Sequence, residues 1–274
     1  MEPFVIDPEA CTRDGLCVQE CPARIIRLEA GDPVPVPRPD FSAGCIACGH
    51  CVAVCPTGAF RLGRLDPADF RPRRPELQLS PEQAEHFLRG RRSIRSYEEA
   101  PVERSVLARL IEASCWAPSA KNAQPWHWTI VENPAEARRL AGLAVDYMRG
   151  FIREKPKVAE LLSFTRVVAD WERGCDRVLR GAPHVIVVHI DRNWTFGAED
   201  TALALSYLEL YAPVLGLGTC WAGYFYMAAN AHPPLFEALG IPPKHKVCGA
   251  VMVGRPRVRY RLLVPRRPPR IDWR

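Results

Sequence analysis

The sequence predicts an α+β chain in two modules, a small cysteine-rich one followed by a larger one in which helices cover a modest sheet. Three observations predict it. Seven of the eleven cysteines fall within the first fifty-five residues. Between Gly63 and Pro75 three prolines and many charges replace any apolar period, which marks a linker. After Ser80, stretches of helical apolar spacing alternate with short apolar runs, and helices outnumber strands. The domain boundaries expected are 1–63, a linker at 64–79, and 80–274.

Within the first module the cysteines form two runs. Cys45, Cys48, Cys51 and Cys55, followed by Pro56, have the iron-sulfur spacing C-x2-C-x2-C-x3-C-P. Three thiolates at that spacing wrap round one face of a compact cluster, and the fourth points toward a second. Cys11, Cys17 and Cys21, followed by Pro22, repeat the template with Asp14 where its second cysteine would stand. Structural zinc is the alternative, since four-cysteine zinc sites also use CxxC pairs, but those pairs are usually further apart. Disulfides fit poorly with an acidic N-terminus that lacks an apolar secretory region. Between the runs, the prolines from Asp32 to Pro39 predict a loop or a short strand pair.

In the second module, Ser80-Pro81-Glu82-Gln83 predicts a helix start: a hydroxyl N-cap, proline at the first helical position and an amide three residues on. Further helices are predicted around Val106, Leu107, Leu110 and Ile111, and over Ala135 to Phe151, Val158 to Leu179 and Ala198 to Leu217. Strands are predicted over Trp126 to Val131, His184 to Ile190 and Val247 to Val253. Gly216 to Gly223 reads as a loop, with Gly216 and Gly218 able to cap a helix.

Length and composition narrow the function. A chain of 274 residues, 47% hydrophobic and 25% charged, is not disordered. No run of about 18 uncharged apolar residues suggests a membrane span, so a soluble, cytoplasmic protein is expected. Residues 1–63 carry five Lys/Arg against eight Asp/Glu, a net of −3, which leaves +9 for the remainder of a chain of net +6. That asymmetry can guide docking or partner choice, and ordinary surface charge accounts for it equally well. Eight arginines from Arg255 onward invite comparison with nucleic-acid binding, but no regularly interleaved aromatics accompany them. No G-x-G-x-x-G follows a strand, so no separate dinucleotide-binding domain is visible.

The first sixty residues resemble a bacterial-type two-cluster ferredoxin. The resemblance implies cross-over ligation, with Cys45, Cys48, Cys51 and Cys21 holding one 4Fe-4S cluster and Cys11, Cys17 and Cys55 the other, Asp14 being optional. A carboxylate is a harder ligand than iron-sulfur clusters select, so iron at that corner should be labile. The second cluster is then 3Fe-4S, or 4Fe-4S with Asp14 or water as fourth ligand.

Three segments between residues 80 and 274 resemble the FMN-dependent nitroreductase family. In Arg91-Arg92-Ser93-Ile94-Arg95, forked guanidinium groups and a hydroxyl suit a phosphate, though a basic helix end looks the same. The resemblance makes Arg91, Arg92, Ser93 and Arg95 flavin ligands. In the stretch from Ala117 to Trp126, small residues and proline let backbone approach a flat ring, and amides match its donor and acceptor edge. Pro118, Ser119, Asn122 and Gln124 are implied to line the flavin, and a polar turn is the plainer reading. In Gly216 to Gly223, a backbone N–H at Ala222 or Gly223 is implied to meet flavin N5. Arg266 is implied to return to the phosphate from a C-terminal arm packed on a partner subunit. The fold class is therefore α+β, a small ferredoxin-like iron-sulfur domain followed by a nitroreductase-like flavin domain.

The implied function is relay of electrons between clusters and FMN, with NAD(P)H or reduced ferredoxin as donor. A nitroaromatic, quinone or flavin-like acceptor is implied, in a homodimer. No catalytic side chain is assigned. A non-catalytic carrier or redox sensor built on the labile Asp14 corner is the alternative.

Overall fold

In the computed structural model, residues 4–63, 65 and 69–274 are described; residues 1–3 of the acidic N-terminus and 64 and 66–68 of the expected linker lie outside them. The chain divides into two compact units, Met1–Gln78 with Lys121–Ala123, and Leu79–Ala120 with Gln124–Arg274.

The first unit is built twice from one pattern, offset by 34 residues. Its elements are β1 (Val5–Ile6), α1 (Leu16–Gln19), β2 (Ile26–Arg27), β3 (Val36–Pro37), α2 (Phe41–Gly44), α3 (His50–Ala53) and β4 (Phe60–Arg61). Gly15 and Gly49, both at φ 75, start α1 and α3, and Arg13 and Ala47 share the left-handed conformation two residues earlier. Each cysteine run thus turns twice through backbone that favours glycine before its short helix. β1 pairs with β4 and β2 with β3, both antiparallel, so the prolines from Asp32 to Pro39 frame a strand pair. Phe4, Phe41 and Phe60 pack together, with ring centroids 4.5 and 5.2 Å from Phe4, in a core that also buries Cys17 and Cys51.

The second unit begins with α4 (Pro81–Gly90), where the Ser80 hydroxyl accepts from the Gln83 N–H and the Gln83 side chain accepts from the Ser80 N–H. There follow α5 (Arg104–Ser114), β5 (His127–Val131), α6 (Pro134–Glu154), α7 (Pro156–Leu161), α8 (Phe164–Glu172), β6 (His184–Asp191), α9 (Gly197–Tyr211), β7 (Gly218–Trp221), α10 (Gly223–Ala231), α11 (Pro233–Ala238) and β8 (His245–Gly254). The four strands form one antiparallel sheet in the order β5-β6-β8-β7. Along β6 the side chains alternate between two cores. Val185 and Val187 join the core with α6, α10 and α11, and Ile186, Val188 and Ile190 join the core with α5 and α9. Both faces of the sheet are therefore covered by helices.

Three sequence expectations change. The helix expected from Val158 to Leu179 breaks into α7 and α8, because Ser163 takes a left-handed φ of 59, and it stops at Glu172 before Gly174 at φ 83. The helix expected to run to Leu217 ends at Tyr211; a 3-10 turn containing Pro213 and a left-handed Gly216 close it. Gly216 to Gly223 is not simply a loop, since it contains β7 and the first residue of α10. A four-residue strand with three buried residues in succession and no alternation carries little strand signal.

Candidate functional site

The first unit holds its eight candidate ligands in two groups. One cavity is lined by Cys11, Asp14, Cys17 and Cys55 together with Ile6, Ala59 and Phe60. A second is lined by Cys21, Cys45, Cys48 and Cys51 with Ile25, Ile26 and Phe41. Each group takes three residues from one run and one from the other. Among the described residues no three His, Cys, Asp or Glu side chains converge closely enough to hold a single ion. Each set instead surrounds a space, which suits a multi-atom cluster better than a lone tetrahedral zinc.

The electrostatics differ between the thiols. Burial, followed by the charges of Asp14, Cys11 and Cys55, pushes Cys17 up to about 11. Burial pushes Cys51 up to about 12, with Cys48, Cys21 and Cys45 adding to it and the Val52 N–H opposing it. Burial also raises Cys55, but hydrogen bonds from the Thr57 hydroxyl and from the N–H groups of Phe60, Thr57 and Ala59 outweigh it, and Cys55 lies below the usual thiol value. A coordinated metal deprotonates such thiols outright, so the apolar lining and the gathered sulfurs fit a thiolate-bound cluster. Asp14 is fixed by two local bonds: Oδ1 accepts from the Leu16 N–H at 2.9 Å and Oδ2 from the Thr12 hydroxyl at 2.8 Å. Each oxygen keeps a further lone pair.

In the second unit, the segment carrying Arg91, Arg92, Ser93 and Arg95 runs beside β7. Ser93 bridges Thr219, and the Ile94 N–H donates to the Thr219 carbonyl at 2.9 Å. Gly218 permits this approach, because a Cβ there would lie 2.6 Å from Ile94 Cγ1. On the other side Tyr97 bridges Pro256, and the Glu98 N–H donates to the Arg255 carbonyl at 2.8 Å. The Tyr97 hydroxyl closes the segment on the Ile94 carbonyl at 2.6 Å.

The arginines of this segment have separate surroundings. Arg91 pairs with Glu209 at 3.4 Å, whose carboxyl is pushed up by burial and pulled back by Arg91 and by hydrogen bonds from Trp221 and Thr219. Arg92 Nε is buried without a hydrogen-bond partner, and its guanidinium lies 5.7 Å from the Tyr260 ring centroid. Arg95 donates to the Ser93 carbonyl at 3.4 Å and lines a cavity that also reaches Trp221 and Gly223. A buried, unsatisfied guanidinium N–H beside a serine and two more arginines is a donor set suited to a phosphate.

The two candidate N5 donors are unequal. The Ala222 N–H is already given to the Ala250 carbonyl at 2.8 Å. Gly223 is the first residue of α10, where helix geometry leaves the N–H without an intrahelical partner.

The stretch from Pro118 to Gln124 is shaped by left-handed backbone at Lys121, Asn122 and Gln124 and by the Gln124 N–H, which donates to Ser119 Oγ at 2.9 Å. It is anchored by a residue the sequence did not single out. Asp200 is buried in the first turn of α9; its Oδ1 accepts from the Ala120 N–H at 2.8 Å and its Oδ2 from the Trp194 indole at 2.7 Å, while its carbonyl accepts from the Trp126 indole at 2.9 Å. Within the first unit, Asn122 Nδ2 donates to the Ala47 carbonyl at 3.2 Å and more weakly to that of Ile46 at 3.4 Å.

Glu209, which holds Arg91, lies nine residues after Asp200 on the same helix, about 13 Å along its axis. Ala120 and Arg91 are thus tied to opposite ends of α9. Arg266 is exposed, on a tail without regular structure. No sequence motif announced Asp200 or Glu209; an acidic residue in the first turn of an otherwise apolar helix is the signal for the first.

Comparison with known proteins follows the same division. The model of the nitroreductase family matches residues 88–255, and that of a 4Fe-4S dicluster domain matches residues 3–56. A putative NADH dehydrogenase/NAD(P)H nitroreductase from Archaeoglobus fulgidus is 27% identical over 172 residues, covering 61% of this chain and 82% of that protein. A 4-nitrobenzoate reductase from Nocardioides sp. is 28% identical over 211 residues, covering 66% and 84%. The structure of a nitroreductase with bound FMN from Desulfitobacterium hafniense superposes with a TM-score of 0.57 at 23% identity, over 71% of this chain and all of the other. That likeness is one of fold.

Proposed function

Because this chain belongs to the nitroreductase family and carries a 4Fe-4S dicluster domain ahead of it, we propose that it is an iron-sulfur flavoprotein oxidoreductase. It passes electrons between its clusters, FMN and a small conjugated acceptor. The observation that carries the reading is the seating of the arginine segment on β7 by the Ile94–Thr219 hydrogen bond. That contact supports reading the arginine segment as a phosphate-type donor group beside β7, the strand that leads to Gly223 at the start of α10.

When bound, FMN supplies chemistry that exchanges electrons singly or in pairs. The chain's own residues bind and orient it. Arg92, Ser93, Arg95 and Arg266 serve the phosphate and nearby polar edge, and Arg91 positions the segment through Glu209. Gly223, rather than Ala222, offers the N–H to N5, because Ala250 already takes the other. Pro118, Ser119, Asn122 and Gln124 line the ring. The anchoring of Ala120 and of Arg91 at opposite ends of α9 supports a homodimer in which two copies complete each site.

In the iron-sulfur domain, proposed as residues 1–63 and followed by a linker at 64–79, Cys21, Cys45, Cys48 and Cys51 hold one 4Fe-4S cluster. Cys11, Cys17 and Cys55 hold the other, as a 3Fe-4S centre or as a 4Fe-4S centre with Asp14 or water at its fourth corner. The flavin domain is residues 80–274. NAD(P)H or a reduced ferredoxin donates electrons in the cytoplasm, and the acceptor is a nitroaromatic, quinone or flavin-like molecule. Two electrons and two protons convert a nitro group to a nitroso group and water. No nucleic-acid or membrane partner is part of this reading. No helix among the described residues is long and apolar enough to cross a membrane.

The test is a reductive titration of anaerobically purified protein followed by optical and EPR spectra, with turnover assays using NAD(P)H or reduced ferredoxin. Flavin bleaching, cluster signals and acceptor reduction are expected together. Protein containing zinc, no acid-labile sulfide and no flavin would end the proposal. Loaded protein that reduces no tested acceptor would favour a carrier or sensor.

A further inference from the structure

The internal repeat of the first unit offers a comparison at nearly constant backbone. Each cysteine run ends in Cys-Pro, and at the offset of the repeat Cys21-Pro22-Ala23-Arg24 corresponds to Cys55-Pro56-Thr57-Gly58. The two turns close alike. The Arg24 N–H donates to the Cys21 carbonyl at 3.0 Å and the Gly58 N–H to that of Cys55 at 3.4 Å. Arg24 and Gly58 both take left-handed φ values, 52 and 68. What differs is the residue between the proline and the left-handed position. Thr57 lines the first cavity beside Cys55, whereas Ala23 lines the second beside Cys21.

Thr57 Oγ1 lies in hydrogen-bonding contact with Cys55 Sγ at 3.6 Å. A thiolate has no proton to give, so toward a cluster-bound sulfur the hydroxyl is the donor. It joins the N–H groups of Thr57, Ala59 and Phe60 on the same sulfur. Ala23 has only a methyl group in the hydroxyl's place. Hydrogen bonds to the sulfurs are among the factors that set the potential of an iron-sulfur centre, with cluster type, charge and exposure. Reduction adds negative charge, and a donor already aimed at sulfur stabilises it. The first cavity also holds Asp14, whose charge opposes an added electron. No carboxylate is among the described residues that line the second. The first cavity thus combines an extra acid with an extra donor.

We propose that Thr57 is a positioning residue that acts through the Cys55 thiolate. Its hydroxyl raises the reduction potential of the centre held by Cys11, Cys17 and Cys55, against the opposing charge of Asp14, and so helps that centre hold an electron in the relay. The proposal rests on the two-cluster part of the reading above and deepens it; neither flavin nor acceptor enters it.

The test is a potentiometric titration of full-length, anaerobically purified protein, with each cluster followed by EPR and optical spectra. Thr57→Val keeps the shape of the side chain, and its added methyl group stops water from taking the hydroxyl's place. Thr57→Ser keeps the hydroxyl. At a fixed poise, Thr57→Val is expected to lower the reduced-to-oxidised ratio of one cluster about threefold, the size of one partly solvated hydrogen bond. For a one-electron couple that is a fall of about 30 mV. The other cluster should not move, iron and sulfide should stay at the native level, and Thr57→Ser should restore most of the shift. Ala23→Thr should raise the midpoint of the other cluster. Thr57→Val that moved neither midpoint, or moved both alike, would overturn the proposal, as would Thr57→Ser that behaved like the valine variant. Loss of iron from Thr57→Val would overturn it in favour of a purely structural hydroxyl. Ala23→Thr acting on the same cluster as Thr57→Val would overturn the assignment of Thr57 to its centre. Native protein without acid-labile sulfide would end the two-cluster reading as well, whereas clusters indifferent to Thr57 would end this proposal alone.

Discussion

Asp14 stands where the repeat places Cys48, and its carboxylate already spends one acceptor site per oxygen on Leu16 and Thr12. Those bonds hold it at the rim of the first cavity but leave it a hard ligand among soft ones. Replacing it with cysteine should supply the missing thiolate. Asp14→Cys is expected to raise iron content by up to one atom per chain and slow its loss in air. It should also remove any 3Fe-4S EPR signal, as iron analysis and EPR of anaerobic samples will check; unchanged iron and spectra would show that this corner is not where the cluster is incomplete. The cysteine ladder was legible because its chemistry lies in spacing along one short stretch. Asp200 and Glu209 were not, because their partners are brought to them by folding. The choice between Ala222 and Gly223 depended on a single cross-strand hydrogen bond to Ala250, which no local pattern encodes.

The helix α9 works as a spine, anchoring Ala120 at its first turn and Arg91 at its last. Asp200→Ala would leave the half-buried Trp194 indole and Ala120 N–H without their acceptor. A fully buried group of this kind costs roughly 1–3 kcal/mol; with both groups partly reached by water, a loss of about 1–3 kcal/mol in urea unfolding is expected. Asp200→Asn, which keeps one acceptor, should lose less. The sheet gives a second element-scale prediction. His189 and His245 meet at 2.7 Å between Nδ1 atoms, which needs one proton between them, with His127 edge-on to His245 at 4.6 Å between ring centroids. Burial, then the neighbouring His245 and His127, pushes His189 down to about 4. Burial, His127 and Lys244 lower His245 as well, against the pull of Asp191. An unfolded histidine takes up its proton near pH 6.5. Between about 6.5 and 4 the unfolded chain therefore binds more protons, so stability falls as pH falls through that window. The slope is about 1.4 kcal/mol per pH unit for one such group. Chemical unfolding across that range should show the decline, and His189→Gln should flatten it; an unchanged slope would remove His189 from the account. The main strands and α4 to α6 were legible from period and capping. The break at Ser163, the early end at Tyr211 and the strand β7 follow from left-handed backbone, a proline turn and three successive buried residues, which apolar spacing does not report.

At the scale of the whole molecule, the two-module division could be read from composition, since cysteine, proline and charge change character along the chain. How the flavin-type segments meet could not be, because Ala120 and Arg91 are anchored at opposite ends of α9. The C-terminal tail bears on this. After Gly254 it has no helix or extended strand, yet it carries Leu262 at 82% and Trp273 at 89% exposure, with Tyr260 and Ile271 also exposed. Large apolar side chains gathered on one open segment mark a surface that binds another protein, and the same tail carries Arg266. If it packs on a second copy, removing residues 262–274 should remove both functions: the truncated chain is expected to run as a monomer by light scattering and to lose FMN during gel filtration. Arg266→Ala in the full chain separates them, because it keeps the apolar contacts and removes only a phosphate partner. It should leave the dimer intact and weaken FMN retention. A truncated chain that stays dimeric with full FMN would show that the tail serves neither purpose. If Arg266→Ala instead dissociated the dimer, the arginine would belong to the subunit contact, and the phosphate would be left to the donors beside β7.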